Sequence, residues 1–238
     1  MSEVLYIVMP AYNEAENIKD VVAQWRPIVE KVGGESRLVI FDDGSKDDTY
    51  ERLKLLEQRY PRLVAETKAN SGHGATCLYA YRYAVAHNAD YIFQTDSDGQ
   101  TNPDEFWKFW EQRAAYDLIT GSRKAREDGF SRVVVTKTLK MVVLLIFGVS
   151  VEDANTPFRL MKKDFLSAML RIVPENFFLS NVAIAAIAVK KKCKTLWMPI
   201  TFKPRQKGVN SINLKRIFRI GLKALGDFRE VNRRLKSR

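Results

Sequence analysis

The sequence predicts an α/β domain built on a mostly parallel sheet with helices on both faces, ending in a basic amphipathic helix. Three observations predict it. Short, continuous apolar runs rich in Val, Ile, Leu and Phe alternate with stretches of helical periodicity, the pattern of strands buried on both faces. Each unusual polar cluster of the first half follows directly on one of those runs, and parallel sheets build their sites at the carboxyl ends of strands. The charge is also unevenly spread. Of the net +11, residues 203–238 hold twelve Lys and Arg against two acids, +10, so the preceding 202 residues carry only +1.

Residues 4–9 form a β-favouring apolar run that stops at Pro10. Residues 17–32 set Ile18, Val21, Val22, Trp25, Ile28 and Val29 at helical spacing. A second run, 37–41, breaks at Asp42-Asp43-Gly44-Ser45, and 47–60 again repeats every three to four residues. Residues 63–66 read as a third strand, Gly72 and Gly74 open a helix reaching about His87, and 90–95 is a fourth strand. Asn102-Pro103-Asp104-Glu105 is a helix start, with an Asn cap, Pro at the first helical position and two acids in the first turn. Residues 117–120 give a fifth strand. The second half is less regular: 123–132 reads as a polar loop, 138–147 as an apolar helix or buried segment, 158–161 and 195–202 as strands, and 177–191 as a helix between them. From 213 to 235, Leu214, Ile217, Phe218, Leu222, Leu225, Phe228 and Leu235 recur at helical spacing, with Lys and Arg on the other faces.

Several classes drop out. Cys77 and Cys193 show no CxxC spacing, which argues against a disulfide framework or a zinc site. No GxGxxG or GxxxxGK[ST] string occurs, so the dinucleotide and P-loop phosphate cradles are absent. No basic n-region precedes the first apolar run, and the longest apolar run, 141–149, is far short of the ~20 residues of a membrane span. The expectation is a cytoplasmic chain that touches a membrane peripherally.

Three clusters carry chemistry. In Phe93-Gln94-Thr95-Asp96-Ser97-Asp98-Gly99-Gln100, two carboxylates one residue apart follow a strand end and suit Mg²⁺ or Mn²⁺, which take one or two protein carboxylates and fill the other positions with water and phosphate. The same string also reads as an Asp-rich turn. In Asp42 to Thr49 the Asp-Gly turn and the cap are structural needs, but paired Asp42 and Asp43 exceed them and suit a nucleobase imino group or a ribose hydroxyl. In Pro10-Ala11-Tyr12-Asn13-Glu14 the aromatic face of Tyr12 suits stacking on a base, while Glu14 equally reads as a first-turn helix acid.

Taken in order, P-A-Y-N-E-x-E-N-I, D-D-G-S-x-D-x-T, K-x-N-x-G-x-G-A, D-x-D and G-S-R resemble the family 2 inverting glycosyltransferases, most of all the dolichol- and polyprenol-phosphate sugar synthases, over about residues 4–211. The resemblance implies a GT-A domain over 1–211, with 212–238 as a basic helix within or appended to it, and transfer of a sugar from a nucleoside diphosphate sugar. It implies that Pro10, Ala11, Tyr12 and Glu14 line the nucleotide pocket and that Asp43 holds the base, with Asp42 beside it and Lys68 in the following motif. It further implies Asp96 on the sugar or ribose side, Asp98 as metal ligand with Asp96, and Gln100 facing metal or diphosphate. Arg123, Arg159 and Arg205 are implied phosphate or acceptor contacts. Three departures stand out: Pro157 replaces a glycine before Phe158-Arg159, Asn210 is inserted in the Arg205-Gly208-Ser211 element, and His73 occupies a position where Lys is usual, which reads as a helix-cap residue or a site residue.

The acceptor follows from what is missing. A hydroxyl acceptor needs a base, yet the stretch Phe177 to Asn181 holds no carboxylate and Asp153 is the one well-placed alternative. A phosphate acceptor is already ionised, so a membrane polyprenyl or dolichyl phosphate is favoured, and the basic terminal helix suits an anionic bilayer. The alternatives are a glycan-elongating transferase with Asp153 as base, a haloacid-dehalogenase-type phosphatase, for which the D-x-D loop falls on the wrong strand, and a non-catalytic nucleic-acid or membrane module, which leaves the strand-end clusters unexplained. Nucleic acid is not an expected partner, because the charge lies in the tail while the body is near neutral.

Overall fold

The computed structural model of the chain describes residues 3–123, 130–203 and 214–236, with side chains described outside 130–137 and 214–224. The first half follows the predicted alternation: β1 (Leu5–Ala11), α1 (Ile18–Val32), β2 (Arg37–Asp42), α2 (Thr49–Arg59), β3 (Leu63–Thr67), α3 (His73–Ala86) and β4 (Tyr91–Thr95). Then come a 3₁₀ turn (Pro103–Glu105), α4 (Phe106–Glu111), β5 (Leu118–Ser122), α5 (Phe130–Phe147), β6 (Phe158–Lys162), α6 (Lys163–Leu170), α7 (Ser180–Lys190), β7 (Thr195–Pro199) and α8 (Leu214–Lys236). The Asn102 side chain caps the 3₁₀ turn by accepting from the Asp104 amide at 3.3 Å.

The described strands form one sheet in the order β3-β2-β1-β4-β6-β5-β7, in which only β6 runs against its neighbours. Every residue of β1 is buried: Leu5, Ile7 and Met9 pack toward α1 and α4, while Tyr6 and Val8 pack toward α3, α6 and α7. The two core layers explain why the strands read as continuous apolar runs without alternation. Strand β1 continues through Pro10, because its pairing with β4 ends at Val8–Gln94 and the missing N–H at Pro10 removes no ladder bond on that side. There the Pro10 carbonyl instead accepts from Ser97 Oγ at 2.8 Å.

The reversed strand positions the second half. The antiparallel register sets Thr95 opposite Phe158 and both Gln94 and Thr120 opposite Arg159, so the loop leading into β6 arrives at the carboxyl ends of β4 and β5. Helix α5 begins at Phe130, earlier than apolar periodicity alone predicts, and α6 is an addition. Strand β7 ends at Pro199; Phe202, expected within it, forms an isolated bridge with Thr101.

Helix α8 is docked over its C-terminal half. Phe228, Val231 and Leu235 are buried, the Phe228 ring packs edge-on to Phe147 at 5.7 Å, and Asn232 Nδ2 donates to the Ile146 carbonyl at 2.7 Å. There the apolar stripe therefore faces the domain, and in the expected division at residue 212 the two parts share one core. Helix α5 instead leaves Met141, Leu144 and Leu145 exposed on its outer face, at 62, 51 and 75%. Among the described residues no helix is long and apolar enough to cross a membrane.

Candidate active site

A cavity of about 630 Å³ opens at the carboxyl ends of β1, β2 and β4. Of the residues singled out in the sequence it gathers Pro10, Ala11, Tyr12, Glu14, Asp43, Asp96 and Asp98; it adds Asn70, Gly72, His73, Ser97 and Phe178. The walls are tied to one another. Ser45 Oγ accepts from the Asn13 amide at 2.9 Å, and Asn13 Oδ1 accepts from the Lys46 amide at 2.8 Å, so the loops after β1 and β2 are cross-linked. Glu14 is buried, receiving the Asn17 side-chain amide at 2.6 Å, and Tyr12 stands half-exposed at the mouth.

Asp43 organises the loop that leads into α3. Its carboxylate accepts from the Ser71 amide at 2.9 Å, the Gly72 amide at 2.8 Å and the Lys68 ammonium, while Asn70 Nδ2 donates to its carbonyl at 2.7 Å. Burial opposes its ionisation, but these donors outweigh it and hold the carboxyl below its usual range. The turn needs Gly44, whose φ is +65° and where a Cβ would stand 2.9 Å from the Asn70 nitrogen. Lys68, expected at substrate, is instead the counter-ion of Asp43. Asp42 is also turned away: it is buried and accepts from Thr67 Oγ1 at 2.8 Å and the Ser45 amide at 3.2 Å.

The first turn of α3 lies against the second half of the chain. A Cβ on Gly74 would sit 2.0 Å from the Phe178 carbonyl oxygen, so only glycine allows α3 to meet the segment between α6 and α7. That contact brings the Phe178 ring to the cavity rim. His73 lines the cavity: its Nε2 donates to Asp96 Oδ1 at 2.9 Å, and Cys77 Sγ lies 3.8 Å from its Nδ1. The Cys77 sulfur and the Asp96 carboxylate hold His73 well above the usual histidine range.

Asp96 and Asp98 face one cavity, with Ser97 between them anchored on Pro10. Their oxygens are hard donors of the kind Mg²⁺ and Mn²⁺ take, and no cluster of three or more His, Cys, Asp or Glu surrounds them among the described residues. An ion held there would draw its remaining ligands from water and phosphate oxygens, so the donor set fits. Gln100 does not join it. Its side-chain amide donates to the Lys203 carbonyl at 2.8 Å, while its backbone N–H donates to Asp98 Oδ1 at 3.1 Å and orients that carboxylate.

Beyond this cavity, Arg123 and Asp153 form a two-pronged ion pair, Nε to Oδ2 and Nη2 to Oδ1, each at 2.8 Å, with the guanidinium 5.2 Å above the Phe202 ring. Both Asp153 oxygens thus already hold donors. Arg159, expected at phosphate or acceptor, is fully buried and donates to the carbonyls of Thr156 at 2.8 Å, Asn181 at 2.7 Å and Ala154. Its place opposite Gln94 in mid-sheet keeps it from the rim, so it is a structural residue. Arg205, with Gly208 and Ser211, lies outside the described residues.

Comparison with known proteins agrees with this geometry. A family profile described as glycosyl transferase family 2 matches residues 6–172. The undecaprenyl-phosphate 4-deoxy-4-formamido-L-arabinose transferase of Pectobacterium atrosepticum is 26% identical over 74% of the chain, which spans only 54% of that protein. The polyprenol monophosphomannose synthase of Mycolicibacterium smegmatis is 24% identical over 87% of this chain and 80% of its own length. The UDP-N-acetylglucosamine–dolichyl-phosphate N-acetylglucosaminyltransferase of Methanococcus voltae is 25% identical over 83% and 85%. Among solved structures, the glucosyl-3-phosphoglycerate synthase of Mycobacterium tuberculosis, in complex with Mn²⁺, UDP and its product, superposes with a TM-score of 0.68 at 15% identity, covering 98% of this chain and 80% of that one. The shared fold is GT-A.

Proposed function

Since the chain belongs to glycosyl transferase family 2, we propose that it moves one sugar, with inversion, from a UDP- or GDP-sugar to a membrane polyprenyl or dolichyl phosphate, and that it depends on Mg²⁺ or Mn²⁺. The observation that carries this reading is the single cavity in which an aromatic face (Tyr12), a buried carboxylate at a strand end (Asp43) and the pair Asp96 and Asp98 stand together. Tyr12 stacks on the base. Asp43 keeps its loop in place through the Lys68, Ser71 and Gly72 donors and accepts a nucleobase imino N–H at the cavity wall. Asp96 takes the sugar or ribose side, and Asp98, oriented by the Gln100 amide, holds the ion. When bound, that ion supplies charge neutralisation to the departing diphosphate. Protonated His73 adds positive charge beside Asp96.

Arg123 is the acceptor-side cation: its guanidinium, paired with Asp153 and lying over Phe202 with 7% of the side chain exposed, is pre-oriented for a phosphate that reaches this edge. A phosphate oxygen attacks without prior deprotonation, which matches a site whose Asp153 is engaged by Arg123 and whose segment from Phe177 to Asn181 has no carboxylate. The membrane contact we assign to two surfaces. The exposed ridge Met141, Leu144 and Leu145 of α5 is the apolar element, since the apolar stripe of α8 is docked over its C-terminal half, and the exposed Arg229 and Arg233 of α8 meet anionic headgroups.

The test is transfer from radiolabelled UDP- and GDP-sugars to polyprenyl phosphate in anionic vesicles with Mn²⁺. Transfer should stop with EDTA and in Asp98→Ala. Full activity in EDTA would overturn the metal assignment, and transfer to a hydroxyl-bearing glycan in preference to the lipid phosphate would return the role of base to Asp153.

A further inference from the structure

A buried polar chain leads from the core to Asp96, and nothing in the transfer as described uses it. The side chains of Tyr81 on α3, Gln94 on β4 and Asn181 on α7 are all buried. Tyr81 O–H donates to Asn181 Oδ1 at 2.8 Å, Asn181 Nδ2 donates to Gln94 Oε1 at 3.0 Å, and Gln94 Nε2 donates to Asp96 Oδ1 at 3.0 Å. The Asn181 carbonyl is in turn fixed by Arg159 at 2.7 Å. The donors all point one way. Both amides are oriented by their neighbours, and the chain terminates on an acceptor, Oδ1 of Asp96.

We propose that Gln94, held in orientation by Asn181 and Tyr81, is a positioning residue for Asp96 and thereby sets the affinity for the donor. Gln94 and His73 both donate to Oδ1 of Asp96, whereas Oδ2 has no hydrogen-bond partner among the described residues. Two donors on one oxygen fix the carboxylate rotamer and leave the second oxygen for ligand at the cavity wall. The inference rests on the proposed function, because it takes the cavity to bind a nucleoside diphosphate sugar. Its content is specific to this chain: a buried amide within β4, rather than a residue of the loop beyond it, decides how Asp96 is presented.

The test uses the full chain and whichever of UDP-glucose, UDP-N-acetylglucosamine or GDP-mannose the wild type binds by calorimetry, with Mn²⁺ and again in EDTA. Gln94→Met removes the donor to Asp96. Asn181→Asp, two links from Asp96, replaces an amide donor by an acceptor beside Arg159; the Gln94 amide then turns its NH₂ toward residue 181 and its oxygen toward Asp96. Both variants should weaken donor binding about tenfold and raise the donor KM more than they lower kcat. The double variant should be no worse than Gln94→Met, because the two act through one link. Tyr81→Phe, which leaves both amides in place, should have a smaller effect in the same direction. Lowered melting temperatures with donor affinity within twofold of wild type would overturn the proposal, as would additive losses in the double variant. A wild type that binds no nucleotide sugar would instead overturn the functional reading on which it rests.

Discussion

Replacing Arg159 separates what the motif pattern suggests from what the fold requires. As a phosphate or acceptor contact, Arg159 would be replaceable with loss of transfer and little loss of stability. The structure gives it the opposite part. Its guanidinium is fully buried and satisfies three backbone carbonyls, of Ala154, Thr156 and Asn181, which belong to the loop before β6 and to the first turn of α7. Burial presses its pKa down, and the three carbonyl acceptors work against that desolvation. Arg159→Met keeps the apolar stem and leaves three buried acceptors without donors. Each such group costs about 1–3 kcal/mol, partly recovered by relaxation, so a loss of about 3–5 kcal/mol is expected. For a chain of this size that lowers the melting temperature by roughly 6–20 °C. The assay is thermal denaturation of wild type and variant, followed by transfer measured at a temperature where both are folded. A variant that melts within about 2 °C of wild type but has lost transfer would refute the reasoning and restore Arg159 to the substrate.

Four further outcomes follow from particular contacts. Gly74→Ala drives a methyl into the Phe178 backbone and should cost at least about 1–3 kcal/mol while also weakening donor binding through the rim, read by melting and calorimetry; unchanged values of both would contradict the close approach. His73, raised above its ordinary 6.5, contributes stability that is complete below that pH and fades as pH rises through its folded value; the stability advantage of wild type over His73→Gln in urea should therefore shrink on going from about pH 6 to pH 9, and an advantage that grows with pH would refute the pairing with Asp96. Replacing Arg229 and Arg233 together by Gln should lower partition onto anionic vesicles by about 2 kcal/mol, roughly thirtyfold, and leave soluble donor affinity unchanged. Deletion of α8 should destabilise the domain by exposing Phe147, so vesicle binding by a truncated chain would not isolate the membrane contact.

The first half of the fold was legible because its signals are local. Buried parallel strands appear as unbroken apolar runs, and the clusters that follow Ala11, Asp42 and Thr95 fall on one rim for topological reasons. What was not legible depends on register and on approach between distant segments. Nothing near Arg159 in the chain marks it as buried; that follows from the antiparallel insertion of β6 opposite Gln94. Lys68 and Asp43 are both charged residues in nucleotide-pocket motifs, and only their contact reveals that one serves the other. The sequence favoured a surface helix cap for His73, and only the first turn of α3, brought beside β4, shows its imidazole meeting Asp96.

The terminal helix carries the same lesson further. Composition located the charge in residues 203–238 correctly, but amphipathicity cannot say which apolar surface the helix covers. Helix α8 directs Phe228, Val231 and Leu235 onto its own domain, and the unpaired apolar ridge falls on α5, whose sequence shows no strong polar face to announce it. The two helices touch through Phe147–Phe228 and Ile146–Asn232, so the membrane contact proposed for both would depend on the packing of α8. Helix α5 follows β5 in the chain, and the end of β5 carries Arg123, the residue assigned to the acceptor phosphate.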